Sequence, residues 1–295
     1  MLSRIPLFDR KMTEATEIPE LAKLFPLDPG VDTLARIRTL LGEEAAEAFA
    51  PLFRTWVTSG FIGGDKFKKA GDDIVKTCVE IGDLQPQHHL LDVGCGIGRI
   101  ALPLLDFLSP AGAYEGFDVI PSGIDWLRRF VTVKFPYFRF HHADGIHSGL
   151  YNPQGGSDPS RFAFPYRQNS FDLAVAVSVF THMTPPGVSR YLVETGRTLK
   201  PGGRLLCTAY LLDREGLAAA QTASSAMSFS HDLGAYRVRN LSTPESAVAL
   251  DEDYFLADAG KAGLKLAGKI RRGSWRKGGF HTGQDIVVFS AEAAK

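Results

Sequence analysis

A buried-looking strand in the sequence ends in a carboxylate and three glycines at alternate positions. The stretch 90–101 reads LLDVGCGIGRIA, which places Asp92 before Gly94, Gly96 and Gly98. Glycine has no side chain, so a strand-to-helix turn of this kind lets a ligand approach the backbone closely. Several kinds of nucleotide cofactor use such turns, and a tight turn without a ligand has the same pattern. The glycines alone therefore leave the ligand open.

Two carboxylates bear on which cofactor this turn would bind. Asp92 lies where dinucleotide sites hold a pyrophosphate, and its charge would repel that anion but attract a cationic group. The dinucleotide fingerprint is also broken, because Arg99 occupies the position of its third glycine. Asp118 ends the next predicted strand, where a carboxylate can accept both hydroxyls of an adenosine ribose. A dinucleotide would use Asp118 too, so NAD stays an alternative that Asp92 disfavours.

Alternating strand and helix patterns must position these residues. Buried-looking strands are predicted at 90–94, 114–119, 138–144, 171–178 and 203–212. Helices are predicted between them at 99–108, 122–133 and 187–199, with another at 251–262. This alternation predicts a doubly wound α/β fold whose parallel sheet has helices on both faces. The last two strands, 264–270 and 285–291, predict an antiparallel hairpin.

The rest of the chain is predicted to surround this core. Residues 1–70 read as a proline-rich arm followed by a helical cap, and residues 71–295 as the main domain. Two irregular insertions, near 145–170 and 213–250, interrupt the main domain. Long irregular connections inside a compact domain are usually functional loops or lids.

Composition disfavours some classes of partner. Thirty-three basic residues balance thirty-three acidic ones, which favours neither nucleic acid nor an anionic membrane. The short basic run at 271–277 is expected to be a solvated loop face. Three widely spaced cysteines give neither a disulfide framework nor a zinc spacing, so a reducing compartment is expected. No stretch approaches the ~20 apolar residues of a membrane span. We expect a cytoplasmic protein, and the sequence leaves its oligomeric state open.

Five segments in order resemble the successive motifs of class I S-adenosylmethionine-dependent methyltransferases. They read LLDVGCGIGRIALPL, EGFDV, HHAD, FDLAVAVSVFTHM and LKPGGRLLCTAYLL, and together they span roughly residues 85–212. An ordered series is far more specific than one glycine turn. The resemblance implies a Rossmann-like sheet of seven strands and S-adenosylmethionine as the cofactor.

The resemblance also implies roles for individual residues. The methionine part of the cofactor would be held by Asp92, Gly94, Gly96 and Gly98. The ribose would be held by Asp118, and the adenine would be bordered by Asp144 and Gly145. Ser178 would begin the loop over the donor sulfur.

Residues for the methyl acceptor are harder to identify. His182, directly after the fourth strand, is a candidate general base, and a helix-start or packing residue is its other interpretation. The aromatic residues Phe61, Tyr166 and Tyr210 are candidates for acceptor binding, although core packing explains such residues equally well. No metal site is predicted, since His141 and His142 point to opposite faces of one strand.

These observations favour methyl transfer by in-line displacement to a small-molecule acceptor, with an oxygen acceptor slightly favoured. One alternative is a methyltransferase acting on RNA or protein, although the chain lacks a basic face. Another is a protein that binds S-adenosylmethionine without catalysis. An NAD-dependent oxidoreductase is a further alternative, which the broken fingerprint disfavours.

Overall fold

The computed structural model describes residues 31–58, 64–144, 156, 158–222, 227–277 and 283–292. The candidate site residues Phe61 and Gly145 lie outside the described residues. Within the described ranges, no helix combines the length and the apolar character that crossing a bilayer requires.

Helices and strands alternate along most of the chain. The helices are α1 (Val31–Leu41), α2 (Glu43–Thr58), α3 (Gly64–Glu80), α4 (Ala101–Leu104), α5 (Pro121–Trp126), α6 (Pro185–Thr198), α7 (Arg214–Ala220) and α8 (Glu252–Lys261). The strands are β1 (His89–Val93), β2 (Ala113–Asp118), β3 (Phe138–His142), β4 (Phe171–Ala176), β5 (Leu199–Leu212), β6 (His231–Asp232), β7 (Tyr236–Val238), β8 (Val248–Asp251), β9 (Leu264–Leu266) and β10 (Asp285–Ala291).

Seven of the strands form the predicted Rossmann-like sheet. Its parallel part has the order β3-β2-β1-β4-β5. Strand β10 pairs antiparallel with β5, and β9 pairs antiparallel with β10, which gives the C-terminal hairpin. The predicted α/β class, the mostly parallel sheet and the antiparallel hairpin are thus confirmed.

Three further strands extend this sheet, which therefore has ten strands rather than seven. Strand β5 is 14 residues long. Its pairing with β10 reaches Ala209, and its last three residues, which lie beyond that pairing, pair in parallel with β8. Strands β7 and β6 continue from β8 in antiparallel pairs. Much of the 213–250 insertion is therefore a sheet extension. Strands of two to four residues are too short to show a period-two pattern in the sequence.

Hydrophobic residues cover both faces of the sheet. On one face, α1, α2 and α3 pack with α5, and the Trp126 indole N–H donates to the Ala45 carbonyl at 3.2 Å. On the other face, α6 and α8 pack with Phe117, Phe180 and Phe289. A third, smaller cluster lies under the extension and includes the fully buried Trp275.

Two helices differ from their predictions. The helix expected over 99–108 is regular only in α4, since Pro103 has no N–H to donate within it. The helix expected over 122–133 begins with Pro121 at its first position and continues after α5 as a π-helix, Leu127–Thr132.

The expected solvated basic loop is wrong for Arg276. Its side chain is 9% exposed and binds the fully buried Asp285, with Nε donating to Oδ1 at 3.0 Å. It also donates to Asp213, and Arg272 pairs with the same carboxylate at 3.0 Å. The Trp275 indole donates to Asp285 at 3.0 Å. These ion pairs connect the start of the 213–250 insertion, called the extension, to the first residue of β10.

Candidate cofactor and acceptor site

The glycine turn after β1 has a backbone conformation that suits glycine. The φ angles of Gly94, Gly96 and Gly98 are +79°, +57° and +93°. At Gly94 a Cβ atom would lie 2.6 Å from Val179 Cγ2, so a larger residue there would clash with the loop after β4. The turn can therefore present its backbone directly to a ligand.

Asp118, at the end of β2, is bound to this turn. Its Oδ2 accepts from the Gly96 N–H at 2.7 Å, and its Oδ1 accepts from the Ile120 N–H at 3.0 Å. Burial raises the pKa of Asp118, and these backbone hydrogen bonds act in the opposite direction. The carboxylate is thus held rigidly beside the glycine turn.

Asp92 is fully buried below the same turn. The Tyr114 hydroxyl donates to its Oδ2, whereas its Oδ1 is buried without a hydrogen-bond partner in the described part of the chain. Burial raises the pKa of Asp92 to about 7, and the hydrogen bond from Tyr114 opposes this shift. A buried acceptor without a donor is costly, so a ligand that brings an N–H group to Oδ1 would stabilise the site.

A cavity of about 350 Å³ opens between the glycine turn and the loop after β4. It brings together six of the predicted site residues, namely Asp92, Gly94, Gly96, Asp118, Ser178 and His182. Its walls also include Tyr191 of α6 and Glu245 of the extension. Residues predicted from different motifs thus meet at one site.

Four other predicted residues lie elsewhere. Gly98 lies behind the turn, where a Cβ atom would be 2.7 Å from Leu127 Cδ2, and Asp144 is exposed after β3. Tyr166 packs against Phe171, with ring centroids 5.2 Å apart. Tyr210 packs beneath the extension with Phe229 and Trp275. None of these four lines the cavity among the residues that the structure describes.

Ser178 has a left-handed backbone, with φ at +61°. Its N–H donates to the Thr208 hydroxyl at 2.8 Å, and its own hydroxyl lies 3.1 Å from Nε2 of Gln284. The loop after β4 is therefore attached to β5 and to the residue just before β10.

His182 lies in a short 3-10 turn, Phe180–His182, on the cavity wall. Its Nδ1 is 3.0 Å from the Glu245 carbonyl oxygen. A carbonyl only accepts, so Nδ1 carries the hydrogen and the neutral ring has its lone pair on Nε2. Burial lowers the pKa of His182, while Glu245 acts to raise it. The ring is thus neutral near pH 7.

Sequence reasoning missed four residues of this region: Tyr114, Thr208, Glu245 and Gln284. Tyr114 could have been found, because it points to the same face of the sheet as Asp92 in the register that pairs Leu90 with Tyr114. The other three come from distant segments that no local pattern connects.

The cavity fits the cofactor that the sequence motifs imply. The unpartnered Asp92 Oδ1 suits an ammonium group, and Asp118 suits the hydroxyls of a ribose. Four carboxylates, Asp92, Asp118, Asp158 and Glu245, stand on the cavity wall with Arg99. The negative charge of these carboxylates favours a positively charged ligand, and the sulfonium group of S-adenosylmethionine carries such a charge.

Comparisons with known proteins identify the family of the chain. A family model described as a methyltransferase domain matches residues 65–245. Methyltransferase GfsG of Streptomyces halstedii is 29% identical over 143 residues, which are 48% of this chain and 44% of that protein. Phosphoethanolamine N-methyltransferase 3 of Arabidopsis thaliana is 31% identical over 149 residues, 50% of this chain and 26% of that protein. The chain thus spans less than half the length of these curated relatives.

Solved structures support the fold. The crystal structure of the [4+2]-cyclase SpnF matches with a TM-score of 0.50 and 18% identity, covering 77% of this chain and 82% of that one. At this identity the likeness bears on the fold alone. The family model, by contrast, covers more than half of the chain. The chain belongs to the class I S-adenosylmethionine-dependent methyltransferases.

Proposed function

We propose that this protein transfers a methyl group from S-adenosylmethionine to an oxygen atom of a small-molecule acceptor. The observation that carries the proposal is the position of His182. Its Nδ1 donates to the Glu245 carbonyl, and the ring lines the same cavity as Asp92 and Asp118. A group able to accept a proton thus lines the cavity that we propose as the cofactor site.

Asp92, Gly94 and Gly96 would hold the methionine part of the cofactor, and Asp118 would hold its ribose. Ser178 would cover the donor sulfur from the opposite wall. Roles for Gly98, Asp144 and Gly145 stay predictions from the motif resemblance, as does acceptor binding by Phe61, Tyr166 and Tyr210. When bound, S-adenosylmethionine supplies a methyl group that is already activated by its sulfonium.

His182 would act on the acceptor. A hydroxyl is a weak nucleophile, and its attack is assisted when a neutral imidazole accepts its proton. The lowered pKa of His182 keeps the ring neutral near pH 7, so it is ready to accept this proton. A neutral amine needs no such base, and this difference favours an oxygen acceptor.

The charge of the cavity supports a small acceptor. Asp158 and Glu245 add negative charge to walls that already hold Asp92 and Asp118. A polyanion such as RNA would be repelled here. One relative is named for methylation of phosphoethanolamine, a small molecule, which is in keeping with this size class.

Two measurements test the proposal. Calorimetric titration with S-adenosylmethionine, S-adenosylhomocysteine and NAD should show binding of the first two ligands only. Incubation with methyl-labelled cofactor and fractionated metabolite extracts should then label a small molecule, and a carbon–oxygen bond to the labelled methyl should appear in its NMR spectrum. Binding of NAD alone would refute the proposal, and a label on nitrogen would refute the oxygen acceptor.

A further inference from the structure

We infer that Thr208 and Gln284 are positioning residues that hold Ser178 in its left-handed conformation and thereby set the affinity for S-adenosylmethionine. This inference rests on the proposed function, since it takes the cavity beside Ser178 as the cofactor site. Neither residue lines that cavity among the described walls, so they would act through Ser178.

The backbone of Ser178 needs support from its surroundings. A residue with a side chain at φ +61° is in a sparsely populated region, which persists only where neighbouring groups fix it. The next strand supplies the fixing contact, because the Thr208 hydroxyl accepts the Ser178 N–H at 2.8 Å. Thr208 is buried on β5, so this acceptor cannot be replaced freely by solvent.

Gln284 completes the arrangement from another segment. Its Oε1 accepts from the Thr208 hydroxyl, and the Ser178 hydroxyl lies 3.3 Å from the same oxygen. The Tyr210 hydroxyl is also hydrogen-bonded to Gln284. A single amide thereby orients the Thr208 hydroxyl, so that its lone pair faces the Ser178 N–H.

The arrangement matters for the cofactor because Ser178 and its neighbour Val179 face the glycine turn. Both residues line the cavity, and Val179 Cγ2 lies only 2.6 Å from the position that a Cβ atom on Gly94 would take. A change of the Ser178 backbone would move this wall toward or away from the turn. Cofactor affinity should therefore depend on Thr208 and Gln284, although neither residue touches the cofactor.

Substitutions that remove single atoms test this role. Thr208→Val keeps the side-chain shape but leaves the Ser178 N–H without its acceptor, and we expect the Kd for S-adenosylmethionine to rise about tenfold. Thr208→Ser keeps the hydroxyl and should bind like the unchanged protein. Gln284→Met should raise the Kd roughly threefold. Thr195→Val is the matched control, because the Thr195 hydroxyl is buried without a partner in the described chain.

A double-mutant cycle separates positioning from a general structural effect. Glycine adopts positive φ readily, so in a Ser178→Gly background the conformation no longer needs to be held. We expect Thr208→Val to raise the Kd less than about threefold in that background. Thermal melting of every variant reports folding independently of binding.

Calorimetric titration of the full chain decides between the outcomes. If the unchanged protein binds S-adenosylmethionine but folded Thr208→Val binds it equally well, this inference is wrong and the proposed function stands. A full tenfold loss in the Ser178→Gly background would also overturn it, since Thr208 would then act by another route. If Thr208→Val fails to fold, unchanged binding by Gln284→Met overturns it. Absence of binding in the unchanged protein refutes both the inference and the proposed function.

Discussion

The two halves of the cavity are built in different ways. The proposed donor half consists of Asp92, the glycine turn and Asp118; the two carboxylates lie on adjacent strands, and the Gly96 N–H of the turn donates to Asp118. The proposed acceptor half consists of His182 and the Pro244–Ser246 turn of the extension, and the contact between them joins residues 63 apart in the sequence. The strands of the common sheet therefore position the residues of the donor half, whereas the acceptor half includes residues of an insertion into that sheet. If the two halves bind donor and acceptor as proposed, the shared motifs select the donor and the additions to them select the acceptor.

Replacement of His182 should give the largest effect and should separate the two halves. We expect His182→Gln to lower kcat by about 10² to 10⁴, since a positioned general base contributes that much. The Kd for S-adenosylmethionine should change less than about twofold, because the donor half is untouched. Steady-state kinetics and calorimetry measure the two quantities.

The exposed His89, at the start of β1, offers a matched control in His89→Gln. This control should leave both quantities unchanged. If His182→Gln kept full kcat, the packing interpretation of His182 would be correct.

A second substitution tests whether the donor half works as described. Asp118→Ala removes the acceptor of the Gly96 and Ile120 N–H groups, and each hydrogen bond to a charged group is worth ~1.5–3 kcal/mol. We expect the Kd for S-adenosylmethionine to rise about 100-fold. Asp144→Ala, at an exposed position away from the cavity wall, should change it less than about threefold.

Equal losses in the two variants would show that Asp144 also reaches the cofactor. That result would favour the motif resemblance over the cavity walls as a guide to the site. Melting temperatures of both variants exclude unfolding as the cause.

The stability of the folded protein should depend on pH through Asp92 of the donor half. Its pKa in the folded protein, about 7, exceeds the value of an ordinary aspartate, so the stability that the protonated group contributes at acidic pH is lost as pH rises through 7. Stability without ligand should therefore be greater at pH 6 and decline by about 1 kcal/mol as pH rises to 8, lowering Tm by about 2–4 °C. His182 acts in the opposite direction, because its pKa is lowered in the folded protein and the unfolded chain therefore takes up a proton at His182 more readily as pH falls to 6.

Asp92→Asn should flatten this dependence, and bound S-adenosylmethionine should raise Tm more at pH 8 than at pH 6. Differential scanning calorimetry at several pH values measures both effects. An unchanged slope in Asp92→Asn would assign the pH dependence to another group.

Sequence reasoning identified the residues of the proposed donor half that line the cavity, because they lie at or just after the ends of strands whose patterns are strong. The burial of β1 and the glycines after it are local signals, and Asp118 follows at a regular distance. The extension gave no such signal, because its strands are short and its contact with His182 is made by a backbone carbonyl. Likewise, Arg276 is expected from the sequence to be a surface charge, because no pattern near it predicts its ion pair with Asp285.

Tyr114 links the donor half to the core of the sheet, and its removal should give the smallest effect. Tyr114→Phe takes away the hydroxyl that donates to Asp92, so the pKa of Asp92 should rise further and both carboxylate oxygens would lack a partner in the described chain. We expect the Kd for S-adenosylmethionine to rise roughly fivefold at pH 7 and less at pH 9, where Asp92 is ionised in either protein. Tyr137→Phe, which removes a hydroxyl 3.5 Å from a carbonyl outside the site, is the matched control. A loss of affinity that is the same at both pH values would mean that Tyr114 supports the packing of β2 rather than the charge of Asp92.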